Sequence, residues 1–426
     1  MDNNYRRLKL FTKFSVGFMA FIMIISYILP YCSIITENVS AGAAQQEEAA
    51  EASDEGGEFQ AVWISYWDFS ADGYTEDDFK AHIDEMFTNV ADMGMNAVVV
   101  QVRPFGDAMY PSKYFPWSKY VSGKQGVNPG YDPLKYMVEK AHALGLEFHA
   151  WINPYRVAND TTDITSLSVK NKARIWLTDD KTSNDRNVLI FDGGIYYNPA
   201  KSAVRTLIAD GVKEIIENYD VDGIHFDDYF YPALGSDYKN EFDSTEYGTY
   251  KAAKINAGKS YYGIIKWRRQ QVNLLLKKVY STVKSVNSDV VFGVAPQGNM
   301  DNLYASDRYY CDVKKWMSSA GYVDYICPEI YWSFEHPSCP YDECLDTWTS
   351  ALSDESSVKL YAGVPVYKAG TSLSNEPDFK SNSAVLVNML AYGRLTGKVS
   401  GYIYYDYSDF YRSEAKSAVK KLLKYL

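Results

Sequence analysis

Cysteine is scarce in this 426-residue chain, with five in all, and none of them sits in a C-x-x-C pair or at zinc-site intervals from a histidine. Histidine is equally sparse, also five, and no H-E-x-x-H occurs. A catalytic or structural metal is therefore not expected, and no cofactor is implied. The chain has no G-x-S-x-G, so a serine hydrolase has no support. It has no G-x-G-x-x-G after its first strand-like run, which removes the dinucleotide fingerprint. Lys and Arg never gather into a patch and the net charge is −11, so nucleic acid is not an expected partner. Cys339 and Cys344 fit either a bridge or a free buried pair. Cys32 follows Leu29-Pro30-Tyr31, where the bulky Tyr31 argues against lipid attachment.

Aromatic rings are abundant, with 38 Tyr and nine Trp. Most of them serve packing, and some are available to stack on sugars. The composition, 46% hydrophobic and 23% charged, is that of a globular domain with ample core. The start reads differently. Arg6, Arg7, Lys9 and Lys13 precede an uncharged run from Phe14 to Thr36, the pattern of an export signal. Ala41-Gly42-Ala43 offers a small-residue cleavage site, while Pro30 and the length of the run leave an uncleaved anchor open. Residues 1–44 are thus a signal peptide or membrane anchor, and they are the expected membrane contact. Residues 45–58 are acidic and without apolar periodicity, a flexible spacer. Residues 59–426 form the folded domain, placed outside the cell or at its surface.

In that domain short β-branched and aromatic runs alternate with amphipathic stretches, which predicts β-α-β units and a parallel sheet. Strands are expected at 59–65, 97–102, 147–152, 223–227, 290–295, 322–330, 359–364 and 401–405. Helices are expected at 76–93, 133–144, 200–219, 261–286, 342–352, 384–396 and 413–426. Eight such units favour a closed (β/α)8 barrel over an open doubly wound sheet. The long connections, 153–199, 228–259 and 365–379, all follow strands and so lie on the C-terminal face, where barrels carry their sites.

The strand ends carry Asp68, Arg103 and Asp107, then His149, Trp151, Asn153 and Arg156. Further along come His225, Asp227 and Asp228, and then Glu329, Tyr331, Trp332 and Asp406. Residues two apart share a strand face, so His225 and Asp227 point together into the barrel while Ile224 and Phe226 face the helices. By the same rule Glu329 shares a face with Cys327 and Tyr331, Asn153 with His149 and Trp151, and Arg103 with Gln101. Glycoside cleavage passes through an oxocarbenium-like state that needs one group to protonate the leaving oxygen and another to attack or to activate water. Asp227, beside the cations Arg103 and Arg156, is the expected nucleophile or base, and Glu329 the expected acid. Asp228 competes with Asp227 for that role. Asp68, Arg103, His149, Trp151, Asn153, Arg156, His225, Asp228, Tyr331, Trp332 and Asp406 are the expected substrate contacts, and Asp107 is read as structural or hydrogen-bonding.

At these residues the chain resembles the bacterial glycosyl hydrolase-like family 10. The blocks are Ala61-Val62-Trp63-Ile64-Ser65, Val100-Gln101-Val102-Arg103-Pro104, His149-Ala150-Trp151-Ile152-Asn153-Pro154-Tyr155-Arg156, Asp222 to Tyr229, and Pro328-Glu329-Ile330-Tyr331-Trp332, in that order. The resemblance extends from Phe59 to about Tyr407. It implies a TIM-barrel glycosidase-like fold, export, and cleavage of peptidoglycan glycan strands that lack stem peptides. The run from Asp222 to Asp227 is also similar to the chitinase motif of family 18, but Tyr229 stands where that motif has its acidic Glu, and His225 replaces an Asp. Substrate-assisted chitinase chemistry is thereby disfavoured at this strand. Two classes remain, a hydrolase of β-linked glycan and a cell-wall carbohydrate-binding barrel without catalysis. Carboxyl groups about 5–5.5 Å apart would mean retaining hydrolysis, and about 6.5–9.5 Å inversion.

Overall fold

The computed structural model describes residues 57–69 and 75–426. The expected export segment, and the spacer up to Gly56, lie outside the described residues. The first strand, β1 (Phe59–Ile64), is followed by helix α1 (Glu76–Asp92), β2 (Ala97–Arg103), α2 (Pro133–Ala143) and β3 (Glu147–Ile152). Three short strands come next, β4 (Arg156–Ala158), β5 (Val188–Phe191) and β6 (Gly194–Tyr197), then α3 (Ser202–Asn218) and β7 (Gly223–Asp227). After them come α4 (Ser244–Asn256), α5 (Ile264–Val286), β8 (Val291–Ala295), α6 (Val313–Ser318), β9 (Tyr325–Ile326) and α7 (Tyr341–Ala351). The chain closes with β10 (Lys359–Pro365), α8 (Val385–Leu395), β11 (Val399–Tyr405) and α9 (Lys416–Tyr425).

Eight parallel strands close in the order β1, β2, β3, β7, β8, β9, β10, β11 and back to β1, a (β/α)8 TIM barrel. The expected strands stand within a residue or two of their predicted ends, except β9. That strand pairs over only two residues, because the chain beyond it is irregular and makes only an isolated bridge, from Glu329 to Gln297 in the segment after β8. Outward side chains such as Val98, Val100, Ile224, Phe226 and Phe292 pack against the helices in one continuous core. Inward ones, among them Trp63, Val99, Trp151, Tyr325 and Ile403, fill the barrel.

Two glycines make room for that filling. A Cβ at Gly293 would lie 2.0 Å from the Tyr325 ring, and one at Gly223 would lie 2.4 Å from the His149 ring. Both rings could enter the barrel only opposite a residue with no side chain.

The long third connection holds an antiparallel sheet in the order β4, β6, β5, and the fourth holds α4. Neither element stood out in the sequence. Cys339 and Cys344 are bridged, which settles the alternative left open above, while Cys311 and Cys327 are free and buried. Glu58 pairs with Arg394 at 2.7 Å and so ties the entry of β1 to α8. Among the described residues no helix is long and apolar enough to cross a membrane.

Candidate active site

Asp227 ends β7 and points into the mouth of the barrel, only 2% exposed. Trp151 Nε1 donates to its Oδ2 at 3.0 Å, and the Tyr229 backbone N–H reaches Oδ1 at 3.4 Å. A relay orients a further amide. The Tyr66 N–H donates to Gln101 Oε1 (3.2 Å), so Gln101 Nε2 faces Asn153 Oδ1 (2.7 Å), and the Asn153 NH2 is left on the side of Asp227, whose ionised form it favours without closing a hydrogen bond. The Arg156 guanidinium stacks on Tyr229 with Cζ 3.9 Å from the ring centre, and its charge favours the ionised carboxylate. Burial outweighs these donors and pushes the Asp227 carboxyl up to about 6.

Glu329 faces the same mouth from the segment after β9. Its backbone is held on both sides, N–H to Pro296 O at 2.8 Å and C=O from the Gly298 N–H at 3.1 Å. Gly298 permits that approach, since a Cβ there would lie 2.4 Å from the Glu329 carbonyl oxygen. Burial, and then the charges of Asp228 and Asp227, hold its carboxyl well above the usual range. Asp228 is buried, and its Oδ2 accepts from the Gln297 N–H at 2.7 Å. Burial raises its carboxyl to about 7, Gln297 offsets part of this, and the charge of Asp227 adds to it. Three carboxyl groups therefore share the site, one secured by an indole and an Arg and another kept protonated by burial and repulsion.

Tyr331 and Tyr405 line the mouth with ring centres 5.9 Å apart, and Tyr367 lies 5.7 Å from Tyr331. Tyr405 also feels the charges of Asp406, Glu329 and Asp68, so it stands between the central carboxylates and a second acidic group. In that group Asp68 accepts from the Ser65 N–H (2.8 Å), and burial and the charge of Asp406 raise it to about 7. Asp406 accepts from Ser408 Oγ (2.8 Å). Trp67, 73% exposed, stands at the rim beside Tyr66.

Other expected contacts are placed elsewhere. A bulge between Gln101 and Arg103 breaks the strand alternation, so Arg103 does not share the face of Gln101 as expected. It is fully buried and stacks on Phe115 at 4.5 Å. Arg156, not Arg103, is the cation that acts on Asp227. Trp332 packs against the outer core and His336 instead of facing the mouth. Asp107 is buried, accepts from Gln125 Nε2 at 2.8 Å, and is raised by burial to about 6.

His149 and His225 lie inside the barrel below the mouth, joined by Tyr325. Trp63 Nε1 donates to His225 Nε2 (3.2 Å), which obliges His225 to carry its proton on Nδ1 and donate to the Tyr325 oxygen (2.8 Å). Tyr325 then donates to His149 Nδ1 (3.2 Å), and His149 Nε2 to Glu147 (3.1 Å). The rings of this column touch Trp151, whose indole meets His225 edge-on at 6.4 Å, and so help to fix the donor of Asp227.

Sequence reasoning missed Gln297, Tyr367 and Tyr405. Gln297 follows the end of β8 and Tyr367 the end of β10, so reading every strand end for polar or aromatic residues would have found both. Among the described residues no group of three or more His, Cys, Asp or Glu is arranged to hold a metal ion.

Trp151→Phe removes a donor that favours ionised Asp227. The carboxyl should therefore rise further, and any activity that needs ionised Asp227 should have its acid limb moved to higher pH by about half a unit to one unit. An unmoved limb in a pH–rate profile would show that this indole does not tune Asp227.

The family model described as "Glycosyl hydrolase-like 10" matches residues 58–381. The chain is 33% identical over 372 residues to the protein named "Glycosyl hydrolase YngK" of Bacillus subtilis strain 168, covering 83% of this chain and 68% of that protein. It is 34% identical over 369 residues to "Glycosyl hydrolase DigH" of Escherichia coli strain K12, covering 80% and 79%. Among solved structures, it resembles the PgaB (BpsB) glycoside hydrolase domain from Bordetella bronchiseptica with a TM-score of 0.56 at 12% identity, covering 85% of this chain and 98% of that one. The catalytic domain of β-amylase from Paenibacillus polymyxa gives 0.54 at 13%, covering 86% and 98%. At such identities these two likenesses speak for the fold alone.

Proposed function

The chain belongs to the glycosyl hydrolase-like 10 family, and from that premise we propose that it is an exported hydrolase of β-linked glycan, acting on peptidoglycan strands stripped of stem peptides. The observation that carries this reading is the unequal pair at the mouth, Glu329 held well above the ordinary carboxyl range and Asp227 near 6 with an indole and Arg156 on its ionised form. In the proposed reaction Glu329 gives its proton to the glycosidic oxygen as the C–O bond breaks, and Asp227 attacks the anomeric carbon to form a glycosyl ester. Water, deprotonated by Glu329, then attacks that carbon and frees Asp227. Burial, then the charges of Asp228 and Asp227, keep Glu329 in the state an acid needs, and retention is the stereochemical course proposed for the pair. Tyr331, Tyr405 and exposed Trp67 offer faces for the sugar rings. Export rests on the basic and apolar start of the chain, from Arg6 to Thr36.

Purified, peptide-stripped glycan strands should release soluble fragments whose new reducing ends keep the β configuration by NMR. The pH profile should be bell-shaped. Its ascending limb should fall near 6, as Asp227 loses its proton, and its descending limb at higher pH, as Glu329 loses the proton it must donate; both limbs belong to the coupled group including Asp228. Saturable binding without release would replace this reading with a carbohydrate-binding barrel, and α-configured products would replace retention with inversion.

A further inference from the structure

A cavity of about 760 Å³ lies not at the mouth but on the flank of the barrel, where α4 overhangs the first turns of α3 and α5. This volume is within the range of about 300–1,000 Å³ typical of small-molecule sites. Trp267, Tyr250 and Tyr262 give it aromatic walls. Trp267 is nearly buried and packs 6.0 Å from Tyr250, while Tyr262 is 44% exposed. Polar groups lie between the rings. Gln271 is held by Arg205 (3.3 Å) and by the Trp267 carbonyl (3.2 Å), and Asn187 is buried beside it in the lining.

The charges of the cavity are unbalanced. Its carboxylate, Glu246, is already engaged by Arg186 at 2.7 Å, whereas Lys201 and Lys254 make no ion pair among the described residues. α3 opens at Ser202 with no side-chain cap, so the turn lined by Ser202 and Ala203 adds backbone donors to the same wall. Lys254 lies over the Tyr250 ring at 5.8 Å and Lys266 over the Tyr262 ring at 4.5 Å, each on one face; the remaining aromatic surface, the amides and two cations without a carboxylate partner together suit a sugar ring that carries a carboxylate. An apolar ligand would strand the amides and lysines, and a neutral sugar would leave both cations unused.

Resting on the proposed glycan reading, we infer that this cavity is an accessory site for the same strand, in which the rings take a sugar face and Lys201 and Lys254 take its acidic group. Once stem peptides are removed, the lactyl carboxylate of each muramic residue supplies that group. The site would hold the strand away from the reacting bond and so act on long substrates only.

The test uses the full chain carrying Asp227→Asn, to stop turnover, in calorimetric titration with a peptide-free tetrasaccharide of alternating N-acetylglucosamine and N-acetylmuramic acid. Two sites are expected. Adding Tyr262→Ala and Lys254→Ala should abolish one and leave the other, and chitotetraose, which lacks the carboxylate, should fill the flank site at least tenfold more weakly. With Asp227 intact, Tyr262→Ala/Lys254→Ala should raise KM for long strands about tenfold and leave kcat on the tetrasaccharide unchanged; an unaltered thermal melt shows that both variants fold. A single site in the parent, two sites untouched by the substitutions, or equal affinity for both probes overturns the inference. Two sites without any hydrolysis by the unsubstituted chain would sink the catalytic reading and leave the flank site standing, whereas hydrolysis with one site does the reverse.

Discussion

Asp227→Asn and Glu329→Gln should each lower kcat on peptide-stripped glycan by at least about a hundredfold, since general acid catalysis alone contributes about 10²–10⁴ and a nucleophile no less. The two losses should differ in kind. An amide at 329 cannot protonate a leaving oxygen, so an aryl glycoside that departs without help should form its glycosyl ester almost normally in Glu329→Gln. An amide at 227 leaves no ester to form, and the same aryl glycoside should fail in Asp227→Asn. Asp228 supplies the control. Its Oδ2 accepts from the Gln297 N–H, which the carbonyl of an Asn can also accept, so Asp228→Asn should keep the local fold. Removing its charge lowers the Glu329 carboxyl, so the descending limb should slide to lower pH while the ascending limb, set by Asp227, stays in place, with less than tenfold loss at the maximum. A hundredfold loss in Asp228→Asn, with Asp227→Asn active, would exchange the roles of the two aspartates.

Arg268→Met should destabilise the domain by about 3–5 kcal/mol, the cost of leaving a buried charge without its partner. Arg268 and Asp243 are both fully buried, 2.7 Å apart. The guanidinium also donates to the carbonyls of Tyr238 and Glu241 and to the Tyr310 hydroxyl, while Tyr231 donates to the other Asp243 oxygen at 2.7 Å. One side chain on α5 thus holds together the connection that runs from Asp228 to α4. A shift in denaturant midpoint at constant slope measures the loss. Adding Asp243→Leu should restore part of it, because the stranded carboxylate is then gone; no recovery would mean that the backbone carbonyls, not the ion pair, carry the energy.

The barrel was legible because a strand buried on both faces leaves an apolar run of fixed length, and eight such runs stood out between helical stretches. Alternation also placed Asp227 beside His225 and Glu329 beside Tyr331, since β7 is regular and the chain around Glu329 keeps its phase. It failed at Arg103, where a single bulge residue resets the phase and nothing in Val100-Gln101-Val102-Arg103 betrays it. The small sheet β4, β6, β5 escaped notice because strands of only three or four residues are too short to leave a period to read. α4 escaped for a related reason, as it has no fully buried residue and therefore no apolar stripe. The flank cavity depends on α4 meeting α3 and α5, a juxtaposition no local pattern records.

The column of rings under the mouth has one further meaning. From Trp63 through His225, Tyr325 and His149 to Glu147, every hydrogen points the same way, toward the carboxylate. Passing a proton along such a row would require each member to turn over in sequence, starting from an indole N–H that has no second hydrogen and does not ionise in water's range. The row is therefore a plug against conduction. A proton exchanged by the carboxyl groups at the mouth therefore comes and goes on the solvent side, and in the proposed reaction the one returned to Glu329 arrives with the attacking water.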